Sequence, residues 1–133
     1  MYENETADGN LTLASNDYTL DFEDERNYIR GETIQLEGKI INQDARIKNG
    51  RFEVDLRYHN ESKNKWIVIQ EYPTQLINIE PNEDYNIIDE GLSYTWDIPS
   101  NATIGEYKFY ISSSFNAVER NKGVEFNVTE FIS

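Results

Sequence analysis

The 133-residue chain has no cysteine, one histidine, one methionine and three prolines. Each scarcity removes a class of chemistry. Without cysteine there is no disulfide framework, thiolate zinc site or cysteine nucleophile, and the lone His59 excludes any site built on two histidines. Positive charge is also short, since 12 Lys and Arg against 25 Asp and Glu leave a formal net charge of -13. That lies beyond the roughly 2 to 8 units usual for a small soluble domain and repels phosphate backbones and anionic lipid headgroups, so neither nucleic acid nor direct membrane binding is expected. No run approaches the roughly 18 apolar residues of a transmembrane helix, and the acidic opening Met1 to Asn10 lacks the basic and apolar regions of a signal peptide. A chain of this length forms one domain and buries roughly 70% of its unfolded surface, enough to fold without a metal or cofactor.

What the chain does have is hydrophobicity of period two, the pattern of half-buried strands. Leu11 and Leu13, then Tyr18, Leu20 and Phe22, open the pattern, and Ile34, Leu36 and Ile40 continue it, with Gly38 marking a bulge or close backbone approach. Asn49-Gly50 reads as a tight turn delivering the chain into Phe52, Val54, Leu56 and Tyr58. After a polar loop, Asn60 to Lys65, the segment Trp66 to Tyr72 is apolar on both sides: it is covered on both faces or offers one to a partner. Pro73 stops it. Short strands around Leu76 to Ile79 and Tyr85 to Ile88 flank a turn at Pro81 to Asp84. Leu92, Tyr94, Trp96 and Ile98 alternate up to Pro99, Tyr107, Phe109 and Ile111 begin another strand, and Val124, Phe126 and Val128 follow a loop from Asn116 to Gly123. Short strands, frequent turns and no amphipathic helix predict a single antiparallel β-sandwich of about seven to nine strands over residues 11–133, with 1–10 a flexible segment; a closed barrel is the second choice.

Two groups of residues carry a resemblance. Trp96-Asp97-Ile98-Pro99, Asn101-Ala102, Gly105-Glu106-Tyr107 and Val124-Glu125-Phe126-Asn127-Val128 form one; Tyr28-Ile29-Arg30-Gly31-Glu32-Thr33-Ile34 with Glu37-Gly38-Lys39-Ile40 forms the other. The pattern resembles immunoglobulin-like domains of prokaryotic cell-surface proteins, and the cysteine-free, Ile/Asn/Tyr-rich composition is similar to archaeal envelope proteins, including the soluble domains of archaellum or pilus accessory proteins. The resemblance implies a sandwich whose Tyr107 packs its ring inward while its hydroxyl bonds nearby backbone, as in a tyrosine corner. It carries no functional motif.

Asn-x-Ser/Thr sequons occur at Asn4, Asn10, Asn60, Asn101 and Asn127, among fifteen asparagines that would give roughly two by chance. Glycosylated, they would make the chain an extracellular or cell-surface domain whose leader or anchor lies outside it. No nucleophile elbow, phosphate loop or zinc-protease helix is present, so the residues give catalysis no support and the chain reads as no enzyme. Calcium is a weaker option, resting on Asp21, Glu23, Asp24, Glu83 and Asp84, which offer oxygen ligands but no helix-loop-helix signature. Protein binding leads, through Trp66, Ile67, Val68 and Ile69 on the two-sided strand and through Phe115 in an exposed loop with Val118. The partner would be another envelope protein, such as a surface-layer protein or a filament to be anchored, or a second copy in a homodimer. A carbohydrate-binding module would need coplanar exposed aromatics, for which Tyr58, Trp66, Tyr72, Tyr94 and Trp96 are the material; a cytosolic arrestin-like regulator would require accidental sequons.

Overall fold

The computed structural model describes residues 18–24 and 27–130. The expected loose segment 1–10 and the strand residues Leu11 and Leu13 lie outside the described residues. The strands are β1 (Tyr18–Asp21), β2 (Asn27–Ile29), β3 (Thr33–Gln35), β4 (Lys39–Asn42), β5 (Lys48–Asn60), β6 (Lys65–Glu71), β7 (Gln75–Ile79), β8 (Asp84–Asn86), β9 (Thr95–Asp97), β10 (Gly105–Phe115) and β11 (Val118–Thr129), with no helix among the described residues. One layer is a six-stranded sheet in the order β2-β11-β10-β5-β6, with β7 pairing the other end of β5. All its pairs are antiparallel except β2 on β11. The opposing layer is divided into a three-stranded sheet, β1-β4-β8, and a two-stranded one, β3-β9.

Alternation decides which side chains meet between the layers. Phe52, Val54 and Leu56 of β5, Tyr107, Phe109, Ile111 and Phe115 of β10 and Val124, Phe126 and Val128 of β11 are buried, and so are Tyr18, Ile34, Ile40, Tyr94 and Ile98 opposite them. Rings cross the interface: Phe22 stacks on Phe52, Tyr94 tilts against Phe52, and Trp96 sits 5.0 Å from Tyr107. Each fully buried side chain of this size contributes roughly 1.5–3 kcal/mol, so apolar burial holds the sandwich in the absence of disulfides.

The two groups of residues behind the resemblance lock onto one another. Gly31, at φ +90°, donates its N–H to Ile98 O at 2.8 Å, and Ile98 N–H donates to Glu32 O at 2.8 Å. Glu32 accepts from Ile29 N–H through its carboxylate, and Arg30 Nε donates to Ala102 O at 2.7 Å. The Tyr107 hydroxyl donates to Thr103 O while its ring is buried, which is the tyrosine-corner arrangement.

Three local expectations are corrected. Asn49-Gly50 is not a turn but lies inside β5; Gly50 is required because a Cβ there would collide with the backbone of Ser114 and Phe115. The loop expected from Asn116 to Gly123 is a two-residue turn, Asn116-Ala117, both at positive φ, with β11 already begun at Val118. Phe115 is consequently not an exposed contact residue: it is fully buried, edge-on to Tyr18, and Val118 is half-buried. Gly38 marks a close approach, since a Cβ there would enter the Phe22 ring.

Candidate functional site

The most exposed apolar element is β6. It pairs with β5 on one side, and no strand among the described residues pairs with the other. Register places Trp66 opposite His59 and Val68 opposite Arg57, hence on the outer face of the sheet, while Ile67 lies opposite Tyr58 on the inner side. The ladder then slips. Gln70 faces Leu56, leaving Ile69 as the extra residue of a bulge. Ile67, Val68 and Ile69 are 37%, 43% and 45% exposed, so the alternative of a strand covered on both faces does not hold. Leu76, on β7 along the same edge, is 85% exposed. Three consecutive apolar residues on a free edge are the arrangement that soluble proteins ordinarily blunt with charge, and here charge stands only at the ends, Lys65 and Glu71.

Inward from this edge the outer face carries alternating cations and rings. Lys108 Nζ lies 4.1 Å from the centre of the Trp66 ring and Arg57 lies 4.1 Å over Tyr110. Arg57 is held by Asp55 through Nε at 2.6 Å and by a second guanidinium nitrogen at 3.1 Å; that hydrogen bonding raises its pKa. His59 packs at a tilt against Trp66, ring centres 4.8 Å apart, and its Nδ1 stands 3.1 Å from Glu106.

The aromatics a sugar-binding face would need are elsewhere. Tyr94 is buried, Tyr58 and Trp96 pack on Tyr107, and Tyr72 meets Tyr94 and Phe109. Burial pushes the Tyr72 and Tyr94 hydroxyls up to about 12. Of the five, only Trp66 belongs to the outer face, and Lys108 and His59 already occupy its ring.

The acidic residues divide. Asp21, Glu23 and Asp24 line a cleft of about 510 Å³ with Glu37, Gly38, Lys39, Asn86 and Ile88. Glu83 and Asp84 do not line it. Asp84 pairs with Lys39 at 3.2 Å, and the Glu83 carboxylate accepts from Glu80 N–H. The five calcium candidates are not brought together as one set of ligands. A three-residue group of metal-ligating type among the described residues is instead His59, Glu61 and Glu106, which no sequence motif associates. Of the sequons, Asn60 is half-buried at the end of β5, Asn101 is exposed in the turn after Pro99, and Asn127 is exposed on β11; Asn4 and Asn10 lie outside the described residues.

No family model and no curated protein sequence matches the chain. Solved structures do. The chain is similar to the PapD-like domain 7 (ASH domain) of human CEP192, with a TM-score of 0.52 at 10% identity over 100% of this chain and 98% of that one. It is also similar to part of the Pseudomonas fluorescens alkylpurine DNA glycosylase AlkC bound to abasic-site DNA, with a TM-score of 0.57 at 9% identity over 82% of this chain and 30% of that one. A family 123 glycoside hydrolase from Clostridium perfringens gives 0.56 at 12% over 80% and 23%. The chain has the immunoglobulin-like β-sandwich fold. It spans less than a third of the length of the two enzymes. These matches overturn the exclusion of enzymes drawn from the sequence: the sandwich is a component of enzymes, so the lack of a catalytic motif within it excludes no enzymatic setting. At such identities the likeness is one of fold.

Proposed function

We propose that the chain is an adhesive module of a cell-surface protein that associates with a second copy of itself through the free edge of β6. The observation that carries this reading is the exposed Ile67-Val68-Ile69 run on a strand whose outer edge has no partner among the described residues. Its flanks favour a second copy. In an antiparallel pairing centred on Val68, Lys65 of each copy falls opposite Glu71 of the other, Ile67 opposite Ile69, and Val68 opposite itself, so the strand is complementary to its own reverse in charge and in apolar character. The bulge at Ile69 limits the length of any shared ladder, which leaves the choice of register to these side chains. Seven residues a side are fewer than the roughly 20–30 of a standard interface, so the association is weak, in the micromolar range or above. The setting outside the cell rests on the sequons at Asn60, Asn101 and Asn127, which all occupy positions with some exposure.

Sedimentation velocity of the untagged chain over a wide concentration range tests this. At about 0.15 M salt, where the net-charge repulsion is screened, a monomer–dimer equilibrium is expected, lost in Val68→Lys, weakened in Lys65→Glu and in Glu71→Lys, and recovered in the charge-swapped double variant. A monomer at every concentration, or a dimer indifferent to all four variants, overturns it. A photo-crosslinking residue at position 68 in producing cells separates the two parts of the proposal: an adduct of twice the chain's own mass supports self-pairing, whereas an adduct to a different protein keeps the edge and rejects the second copy.

A further inference from the structure

We infer that His59, Glu61 and Glu106 form a surface site for a divalent transition metal of the zinc class. The three residues come from separate places. His59 stands near the end of β5, Glu61 in the turn that follows it, and Glu106 near the start of β10, where pairing of Tyr107 with Tyr58 sets Glu106 beside His59. One donor atom from each lies within 4.8 Å of the other two.

The contact between His59 Nδ1 and Glu106 Oε1 is the informative one. At 3.1 Å it is close enough for an ion pair, yet Nδ1 has no hydrogen bond, because the carboxylate stands off the line along which a ring N–H would point. An unprotonated Nδ1 would leave its lone pair beside a carboxylate with nothing between them. A metal ion resolves both features. With bonds of about 2.0–2.2 Å to nitrogen and oxygen, two ligands 3.1 Å apart subtend about 95° at the metal, between the octahedral and tetrahedral values. In that geometry the ion lies on the lone-pair axis and the oxygen stands about 40° away from it. Glu61 supplies a third ligand and, with Glu106, a local charge that a dication neutralises; water completes the shell.

The surroundings fix the ligand and leave the site open. Trp66 packs against the imidazole at a tilt of 31° and restrains its plane, while Lys108, on the same face, is engaged over the Trp66 and Tyr110 rings. His59 is mostly covered, but the Glu106 side chain is 53% exposed and Glu61 is exposed, so both carboxylates can swing aside for an ion to enter. The nitrogen ligand selects zinc, nickel or copper over calcium and magnesium, which prefer all-oxygen shells. Bound metal would tie the turn after β5 to the start of β10.

Because His59 is the sole histidine, its imidazole resonances report the site without ambiguity. Zinc chloride added to the untagged, chelator-treated chain is expected to shift those resonances, to release heat with one-to-one stoichiometry and to raise the melting temperature, while calcium chloride does none of these. Glu61→Gln, at an exposed turn position that leaves folding intact, should weaken zinc by about tenfold or more, since removing even an outer-shell partner costs about 10–100-fold. Asp21→Asn, in the separate acidic cleft, should change nothing. Imidazole signals that ignore zinc, or zinc binding that is unchanged in both Glu61→Gln and His59→Ala, overturn the site.

Discussion

At the scale of single residues, the most unusual side chain is Lys48, 1% exposed at the start of β5. Its ammonium meets Asp44 at 3.1 Å, and Asp44 also takes Arg46 at 3.1 Å and the N–H of Ala45 at 2.6 Å. Asn42, fully buried, completes the pocket: its amide donates to the carbonyls of Arg46, Ile79 and Glu80, and its Oδ1 accepts from Asp44 N–H. Burial alone would raise the Asp44 pKa, but the hydrogen bonds from Lys48, Arg46 and Ala45 outweigh it and hold the carboxyl below the ordinary aspartate range. A depressed pKa in the folded state means that the stabilisation is full above the ordinary aspartate value and is lost as pH falls through the lower, folded one. Asp44→Asn leaves a buried ammonium without its counter-charge and should cost several times more at pH 7 than Asp84→Asn, which breaks the exposed pair with Lys39 worth about 0–1 kcal/mol. Urea denaturation at pH 7 and near pH 3 should show the Asp44→Asn deficit shrinking at the lower pH, and Lys48→Met should recover part of it at pH 7. An unchanged deficit would mean that the carboxylate's charge plays no part. Nothing in the sequence marked this pocket, because a lysine four residues before a strand's first apolar position, Phe52, reads as solvent-facing until the partner beneath it is known.

At the scale of elements, the β10–β11 hairpin is the longest continuous pairing, running from Gly105 opposite Val128 to Phe115 opposite Val118. It closes through Asn116 at φ 50° and Ala117 at φ 68°. Asn116 suits such a conformation and is further fixed, its Oδ1 accepting from Asn49 N–H and its amide donating to Ile47 O. Ala117 has no such support, and a left-handed alanine costs roughly 1–2 kcal/mol. Ala117→Gly creates the favoured Asn-Gly turn and should stabilise the chain by about 1 kcal/mol in chemical denaturation, whereas Gly50→Ala should destabilise it because β5 and β10 must part to admit the methyl. A destabilised Ala117→Gly variant would show that the turn is not where the strain lies. The strands themselves were legible in the alternation of Phe52 to Tyr58, Tyr107 to Ile111 and Val124 to Val128. The joints were not. The one Asn-Gly pair serves a close approach between strands and the real turn lacks glycine, so local turn chemistry pointed to the wrong place and turned a buried Phe115 into an expected surface residue.

At the scale of the whole molecule, the edge of β6 and the net charge of -13 act against each other. The two-sided apolar run on β6 was visible in the sequence, but whether it lay at an edge or beneath another strand depended on topology, which alternation does not specify. Joining two copies brings two such charges together, and that repulsion reaches about 30 Å at 10 mM salt but only about 8 Å at 0.15 M. The pairing centred on Val68 sets against it two exposed Lys65–Glu71 contacts, each worth about 0–1 kcal/mol, and apolar contact that salt does not screen. Global repulsion is therefore the larger electrostatic quantity at low salt and the first to be removed. The monomer–dimer constant should accordingly strengthen as sodium chloride rises from 10 mM to 0.15 M and change little beyond that. In the charge-swapped variant Lys65→Glu/Glu71→Lys, which has the same net charge, the curve should be the same. Sedimentation equilibrium across that series measures it directly, and a dimer that dissociates steadily with added salt would instead place opposite charges, and not the apolar edge, at the centre of the contact.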